Sequence, residues 1–487
     1  MLTIAIFLPT LAALVIALTP RSRPDLPRAI ALVFSLVVLA LAAIMFVSLD
    51  RGFQGFQFTN HVTWVRTSLG GFSFQYYVGL DGISAALVLL TAFLNVVAVL
   101  VSWGIALRPK EYFIWLLVIE SGVLGVFSSL DLLLFFLFWE VELVPMYLLI
   151  SIWGSGRKEY SATKFVLYTV AGSSFMIVGI LALGFTAHTF EIPEIMRNGV
   201  REAAIPLGFI FFALFSGFAV KLPMFPLHTW LPDAHTDAPT AVSVILAGAL
   251  LKMGGYGIIR LCVGLLPQTA HDWGLAITLL GAIGVVYGAL VTLRQTDLKR
   301  LIAYSSVSHM GFVLIGVGAL GQLGLTGATV QMVTHGLVTG MLFVMVGLVY
   351  ERTHTRQIPE LGGLARQMPW IAAAFVVAGV ASLGLPMLAG FVGEVVVFLG
   401  AFSKYAATTI VAVSGVVLAA GYILWMLQRV FFGPPKEQWA HLGDARHWSE
   451  WLAMGAMTAS IVAVGIYPQW IIDAIDHGVV PIASRLG

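Results

Sequence analysis

Apolar residues in this chain do not alternate with polar ones. They come in blocks, separated by short polar stretches. A block of about 20 residues, at about 1.5 Å rise per residue, crosses the hydrocarbon core of a bilayer as a helix. Such blocks fall at about 2–19, 29–49, 82–107, 112–130, 132–153, 162–187, 205–231, 239–263, 274–293, 301–320, 325–350, 370–400, 407–431 and 450–472. Numbered in order as spans 1 to 14, they predict an all-α polytopic membrane protein of about 14 transmembrane helices. Span 1 has no basic stretch before it and no small-residue cleavage pattern ahead of Pro20, so it reads as a retained helix. The segment 50–81 is rich in Phe, Tyr, Trp and Gly, which predicts an ordered external cap.

Composition agrees and removes several chemistries. Hydrophobic residues make up 59% of the 487, charged residues only 10%, and the mean hydropathy is +0.95. The single cysteine, Cys262, excludes a disulfide framework, a Cys-ligated iron–sulfur cluster and a CxxC redox pair. No His/Cys cluster has zinc spacing, and no glycine-rich loop is built for a dinucleotide or ATP. No bound cofactor and no metal are expected, and the expected surroundings are lipid rather than nucleic acid.

Charge placement says more than the net charge of +2. The loops after odd-numbered spans hold 17 of the 26 Lys and Arg. The other loops hold seven, namely Arg51, Arg66, Arg197, Arg201, Arg260, Lys404 and Arg485. Basic residues stay on the cytoplasmic side, so both termini are expected outside, on the periplasmic side of a bacterial plasma membrane.

The two lysines in neither set, Lys221 and Lys252, lie inside spans 7 and 8. A charge at mid-membrane costs at least about 2.5 kcal/mol, so each is a functional-site candidate by default. Lys221 opens a proline-rich run, K-L-P-M-F-P-L-H-T-W-L-P-D-A-H-T-D-A-P, that must break the helix. A second L-P-M step occurs at 385–387 in span 12. The two steps lie five spans apart, so their helices cross in opposite senses, as in inverted-repeat transporters. The predicted organisation is residues 1–111 with spans 1–3, 112–263 as a first five-helix repeat, 274–431 as an inverted second, and 432–487 as a loop and last helix. Helices 7 and 12 are the broken ones.

Other titratable groups join the lysines at membrane depth: Glu120 in span 4, Glu140 and Glu142 in span 5, His228 in span 7, His309 in span 10, His335 in span 11 and Glu394 in span 12. Burial favours the neutral amine of a lysine, and a neighbouring carboxylate favours the ammonium. A Glu–Lys pair whose separation changes is therefore a proton switch, and Glu140 with Lys221 is the expected pair. Glu140 and Glu142 point roughly 200° apart on a regular helix, so they are not expected to share one site. His228 lies two turns beyond Lys221 and shares its face if the register survives the prolines. Histidines can pass protons on, but they also serve as plain hydrogen-bonding glue between helices. Asp131, Asp233 and Asp237 fall at predicted helix ends and read as caps.

The runs F-F-L-F-W-E-V-E-L-V-P-M-Y at 135–147 and V-K-L-P-M-F-P-L-H-T-W-L-P-D-A-H-T-D-A-P at 220–239, with the following T-A-V-S-V-I-L-A-G-A-L-L-K-M-G-G-Y-G, resemble a known family. It is that of the antiporter-like membrane-arm subunits of proton-pumping NADH–quinone oxidoreductase (respiratory complex I), and subunit M, chain 4 in mitochondria, in particular. The resemblance implies that Glu140 and Lys221 form the family's ion pair, that Lys252 is the central relay lysine, and that Glu394 is the terminal group. His228, His309 and His335 would complete the relay. It implies neighbouring subunits L and N, with the lateral helix of L. NADH or another donor, FMN, iron–sulfur clusters and quinone would belong to partner subunits. The chain departs from the family at Met387, where glycine usually follows the proline, and at Glu142, where many relatives are apolar. Two other readings are a subunit of a multi-subunit cation/proton antiporter, and a passive scaffold whose charges serve packing.

Overall fold

The computed structural model describes residues 1–66, 73–200 and 205–486. Arg201, counted above among the external basic residues, lies outside the described residues. Among those described, 11 helices are long and apolar enough to cross a membrane, and four shorter apolar helices accompany them. The burial of these helices sorts them. Thr240–Val263 and Gln322–Thr353 are buried along their whole apolar length, whereas Asp25–Val47 and Trp448–Ile466 bury only 33%. The innermost helices are thus the ones that carry Lys252 and His335.

The expected external cap is a β-hairpin. Strand β1 (Gln57–Arg66) pairs antiparallel with β2 (Ser73–Leu80). Aromatics and valines in both strands, with threonines in β1, suit that pleated surface. Asp81 follows at once and caps Gly82–Val101, accepting bonds from the Ser84 amide at 3.0 Å and its hydroxyl at 2.8 Å. The same carboxylate pairs with the Arg260 guanidinium, which also lies over the rings of Phe56 and Tyr256. Arg260, expected in an external loop, is instead buried within Thr240–Val263. Its partner Asp81 lies at the foot of the hairpin, so the ion pair ties the cap to the core.

Prolines mark most interruptions. Leu132–Val141 stops and Leu143–Trp153 begins anew around Glu142, because Pro145 has no N–H for the Val141 carbonyl and its ring crowds that oxygen. Leu207–Lys221 stops ahead of Pro223, and a short helix, Trp230–Asp237, precedes Thr240–Val263. Pro369–Ser382 stops before Pro386 and resumes as Ala389–Phe402. Two helices were not expected: the short Ile192–Asn198 between spans 6 and 7, and Gln469–Ala483, which follows Trp448–Ile466 after Pro468 and packs on Gly82–Val101 and Gln322–Thr353. The polar residues of 473–477 hide the second from a hydropathy window, since it is amphipathic rather than apolar all round.

Two matching backbone bridges tie distant loops. Leu132 donates to the Phe190 carbonyl at 2.9 Å and Ile192 to that of Leu130 at 2.8 Å. In the second half Leu298 donates to Arg356 at 3.0 Å and Ile358 to Thr296 at 2.8 Å. An aspartate caps the helix at each bridge: Asp131 accepts from the Leu133 and Leu134 amides, Asp297 from that of Arg300. Burial pushes the Asp131 carboxyl up to about 6 against the pull of those amides. Asp233 and Asp237 are not caps. Asp233 pairs with Lys164 at 2.7 Å, and Asp237 accepts from the Ser161 hydroxyl at 2.6 Å.

Removing one member of a buried ion pair typically costs about 3–5 kcal/mol, because the other charge is left unpaired. Asp81→Ala is expected to lower stability on that scale. The check is the amount of chain retained in membranes and the thermal unfolding midpoint, both falling below wild type while a surface control, Asp50→Ala, leaves them unchanged.

Candidate functional site

Lys221 is the last residue of Leu207–Lys221 and is 1% exposed. The break that follows frees carbonyls, and the Trp230 indole N–H satisfies that of Val220 at 2.9 Å. The ammonium donates to Oε1 of Glu142 and faces the rings of Phe165 at 5.3 Å and Trp139 at 5.6 Å. Its contact partner is therefore Glu142, not Glu140 as the sequence led one to expect. Glu140 is partly exposed. The two carboxylates differ in burial, Glu142 being fully buried and Glu140 partly exposed, as expected of residues that point apart on a helix.

Lys252 comes from the buried Thr240–Val263 helix. This helix alternates α and π geometry, with π turns at Leu246–Leu250 and Ile258–Val263. A π turn changes which carbonyls are bonded, and such turns cluster at functional sites. Here Lys252 donates to the Ala247 carbonyl of the first π turn. The helix reaches the broken span 7 closely: a Cβ on Gly254 would meet the Leu222 amide and the Phe218 carbonyl at 2.7 Å each.

From Lys252 a line of side chains runs across the second half. Lys252 Nζ lies 2.8 Å from His335 Nδ1. The His335 and His309 ring centroids are 5.6 Å apart. His309 Nδ1 is 3.4 Å from Glu394 Oε1, and its Nε2 is 3.4 Å from the Ser382 hydroxyl. Lys252, His335, His309 and Glu394 are all buried, and they come from four different spans. Each can hold and release a proton, and each neighbour is within reach directly or through one water.

His228 stands apart from this line. Residues 222–229 are irregular, so the helical register from Lys221 is lost. The His228 ring packs on Tyr287 at 5.1 Å and Tyr304 at 6.2 Å, and neither nitrogen has a protein partner. His235 is stacked on Phe343 at 4.6 Å, also with both nitrogens unpartnered. Glu120 is held by Asn95 of span 3, with Ser35 of span 2 at 3.5 Å, a knot that packs spans 2 to 4.

Sequence reasoning missed Lys299, counted with the loops. It is 4% exposed and donates to the Ala238 carbonyl at 2.6 Å, freed where Pro239 ends a helix. The one available signal was the D-L-K step directly before an apolar block. Among the described residues no group of three or more His, Cys, Asp or Glu could hold a metal ion.

The break in span 12 shapes the end of the line. Gly384 has φ +79°, and a Cβ there would lie 2.5 Å from Glu394 Oε2. Met387, which stands where the resembling family usually has glycine, keeps a left-handed backbone at φ +72° and is largely exposed. Met387 thus adopts a conformation that glycine would favour.

Comparison with known proteins gives one consistent picture. Residues 129–419 match the family described as NADH:quinone oxidoreductase/Mrp antiporter, TM. The chain is 43% identical over 497 residues to NAD(P)H-quinone oxidoreductase chain 4 1 of Synechococcus sp. (strain JA-3-3Ab), covering 100% of this chain and 93% of the relative. It is 41% identical over 495 residues to NADH-quinone oxidoreductase subunit M of Rhodobacter capsulatus, covering 98% and 95%. Its fold is similar to a chain of respiratory complex I from Thermus thermophilus with bound NADH, with a TM-score of 0.90, 27% identity and 100% of both chains covered.

A non-glycine residue in the left-handed region costs about 1–2 kcal/mol, and glycine loses about 0.5–1 kcal/mol more chain entropy on folding. Gly384→Ala is thus expected to destabilise by about 1–2 kcal/mol and to displace the Glu394 carboxylate. Met387→Gly is expected to stabilise by about 0.5–1 kcal/mol. Thermal melts of the purified complex check both: the two shifts should have opposite signs.

Proposed function

The chain belongs to the antiporter-like subunit M (chain 4) family of NADH–quinone oxidoreductase, and on that premise we propose that it moves protons through its buried Glu, Lys and His side chains. It is a membrane subunit of that enzyme. In the proposed cycle, quinone reduction in partner subunits shifts the carboxylates of span 5 relative to Lys221. Lys221 then passes its proton towards Lys252, and His335 and His309 carry it to Glu394, the terminal group. His228 serves the cytoplasmic side of Lys221, where protons are refilled. NADH or another donor, FMN, iron–sulfur clusters and quinone belong to the partners. Subunits L and N, with the lateral helix of L, are the proposed neighbours.

The single observation that carries this reading is the line Lys252–His335–His309–Glu394. Four proton-holding side chains from four spans are buried in sequence, with 2.8 Å and 3.4 Å contacts at its two ends. A scaffold would need each charge paired, not a series of amine, imidazole and carboxylate groups joined end to end. The cation/proton antiporter reading shares the family match but not the full-length likeness to the two oxidoreductase chains.

The finer architecture belongs to the same proposal. Counting Leu2–Leu18 and the two broken spans with the 11 long helices gives 14 crossings. The two loop bridges support the inverted repeat: Asp131 with Glu191 and Asp297 with Gln357 are each offset by the same number of residues. The two breaks also close alike, with Met224 donating to Ala219 and Leu385 to Val380. The uneven Lys and Arg distribution supports both termini on the periplasmic side of a bacterial plasma membrane.

Lys221→Ala is the direct test, in membrane vesicles, after a native gel shows the large complex assembled. Proton uptake and donor-to-quinone electron transfer are expected to fall together by about tenfold or more, as when a group acting only in the coupled step is removed. Wild-type rates of both would leave Lys221 a packing residue and end the proton-moving reading.

A further inference from the structure

The loop between spans 1 and 2 and the loop between spans 3 and 4 are stitched into one surface. Lys110 donates to the Thr19 carbonyl at 2.8 Å, and Arg28 donates to the Ile105 carbonyl, also at 2.8 Å. At this junction lies a cavity of about 550 Å³. Arg21, Arg23, Arg108, Lys110 and Glu111 line it, together with four prolines. A proline ring fixes its own backbone angle, so these walls are stiff before anything binds.

The cavity is strongly basic. Four basic residues face one acid, Glu111, which lies 3.7 Å from Arg21 in an exposed pair of little strength. Arg23 and Arg108 form no ion pair among the described residues. Arg108 also opens the helix Pro109–Ser128, whose first turn has no side-chain cap. The free N–H groups of that turn add partial positive charge to the same wall.

Depth narrows the choice of anion. The cavity lies where Leu2–Leu18 ends and where Asp25–Val47 and Pro109–Ser128 begin. The ends of spanning helices stand at the level of the lipid headgroups. Leu18, Leu14 and Leu11, spaced four and three apart on one face of span 1, are 87%, 60% and 51% exposed. That stripe leads from the cavity into the hydrocarbon. A soluble anion would use the arginines alone, whereas a phospholipid uses the arginines and the stripe.

We propose that this cavity holds the headgroup of an anionic phospholipid, with its phosphate on Arg21, Arg23 and Arg108 and an acyl chain along Leu18, Leu14 and Leu11. The guanidinium fork matches a phosphate with two parallel hydrogen bonds. Basic pockets between membrane helices recognise headgroups in this way, and these two loops belong to the set richest in Lys and Arg. The site clamps the ends of the first spans to the bilayer. It is independent of the proton-moving reading and stands whether or not protons pass through the chain.

The test uses the assembled complex in phosphatidylcholine vesicles that contain a little phosphatidylglycerol with a photoreactive group near its headgroup. After illumination and digestion, mass spectrometry reads the label on peptides spanning 19–24 and 105–111. Labelling is expected from this probe and not from a phosphatidylcholine probe of the same design. Each arginine at the surface contributes about fivefold to the binding of an anionic lipid, so Arg23→Gln/Arg108→Gln is expected to lower the labelling by about thirtyfold. If the double variant fails to assemble, Arg23→Gln and Arg108→Gln are read singly, each expected to lose about fivefold. Equal labelling by the phosphatidylcholine probe, or unchanged labelling in the variants, overturns the proposal. So does loss of the label on adding inorganic phosphate at constant ionic strength, which would mark a soluble-anion site. Cross-links from these loops to an acidic segment of a neighbouring subunit, with no lipid label, would give the cavity to that subunit and overturn it too.

Discussion

A charge at membrane depth must have a partner, and that constraint organises this molecule. Lys221 has Glu142, Arg260 has Asp81, and Lys252 has a backbone carbonyl and an imidazole. None of these partners comes from the residue's own helical turn in regular geometry. Each exists because a helix has been broken or loosened: around Glu142, after Lys221, and at the π turn of Leu246–Leu250. Apolar packing holds the bundle, but these departures from regular helix decide where ions can stand. The breaks themselves are tolerable because protein covers them, as the Trp230 indole does for the Val220 carbonyl.

Much of this was legible in the amino-acid order. Blocks of spanning length are hard to mistake, and Lys221, Lys252 and Glu394 stand out against apolar sequence by their cost alone. Both L-P-M breaks are visible, since proline removes a donor wherever it falls. What could not be read was direction. Of Glu140 and Glu142 it is the second that meets Lys221, and nothing in an apolar run marks which of two such carboxylates faces inward. His228 shares the face of Lys221 only if the helical register survives, and the intervening prolines dissolve it. The helix Gln469–Ala483 escaped because its signal is amphipathic. Lys299 and Arg260 escaped because a basic residue at the end of an apolar block looks the same whether it faces water or turns inward.

The two breaks share a backbone device but serve opposite charges. The first holds a cation, Lys221, against the Glu142 carboxylate. The second holds an anion, Glu394, against an imidazole, in a turn where Gly384 leaves room for the carboxylate. The proposed route begins at an amine, whose neutral form an apolar setting favours, and ends at a carboxyl group. Between them lie Lys252 and two histidines, groups able to take either state. Met387 shows how firmly the second turn is determined: the chain keeps the left-handed conformation there with a side chain that disfavours it.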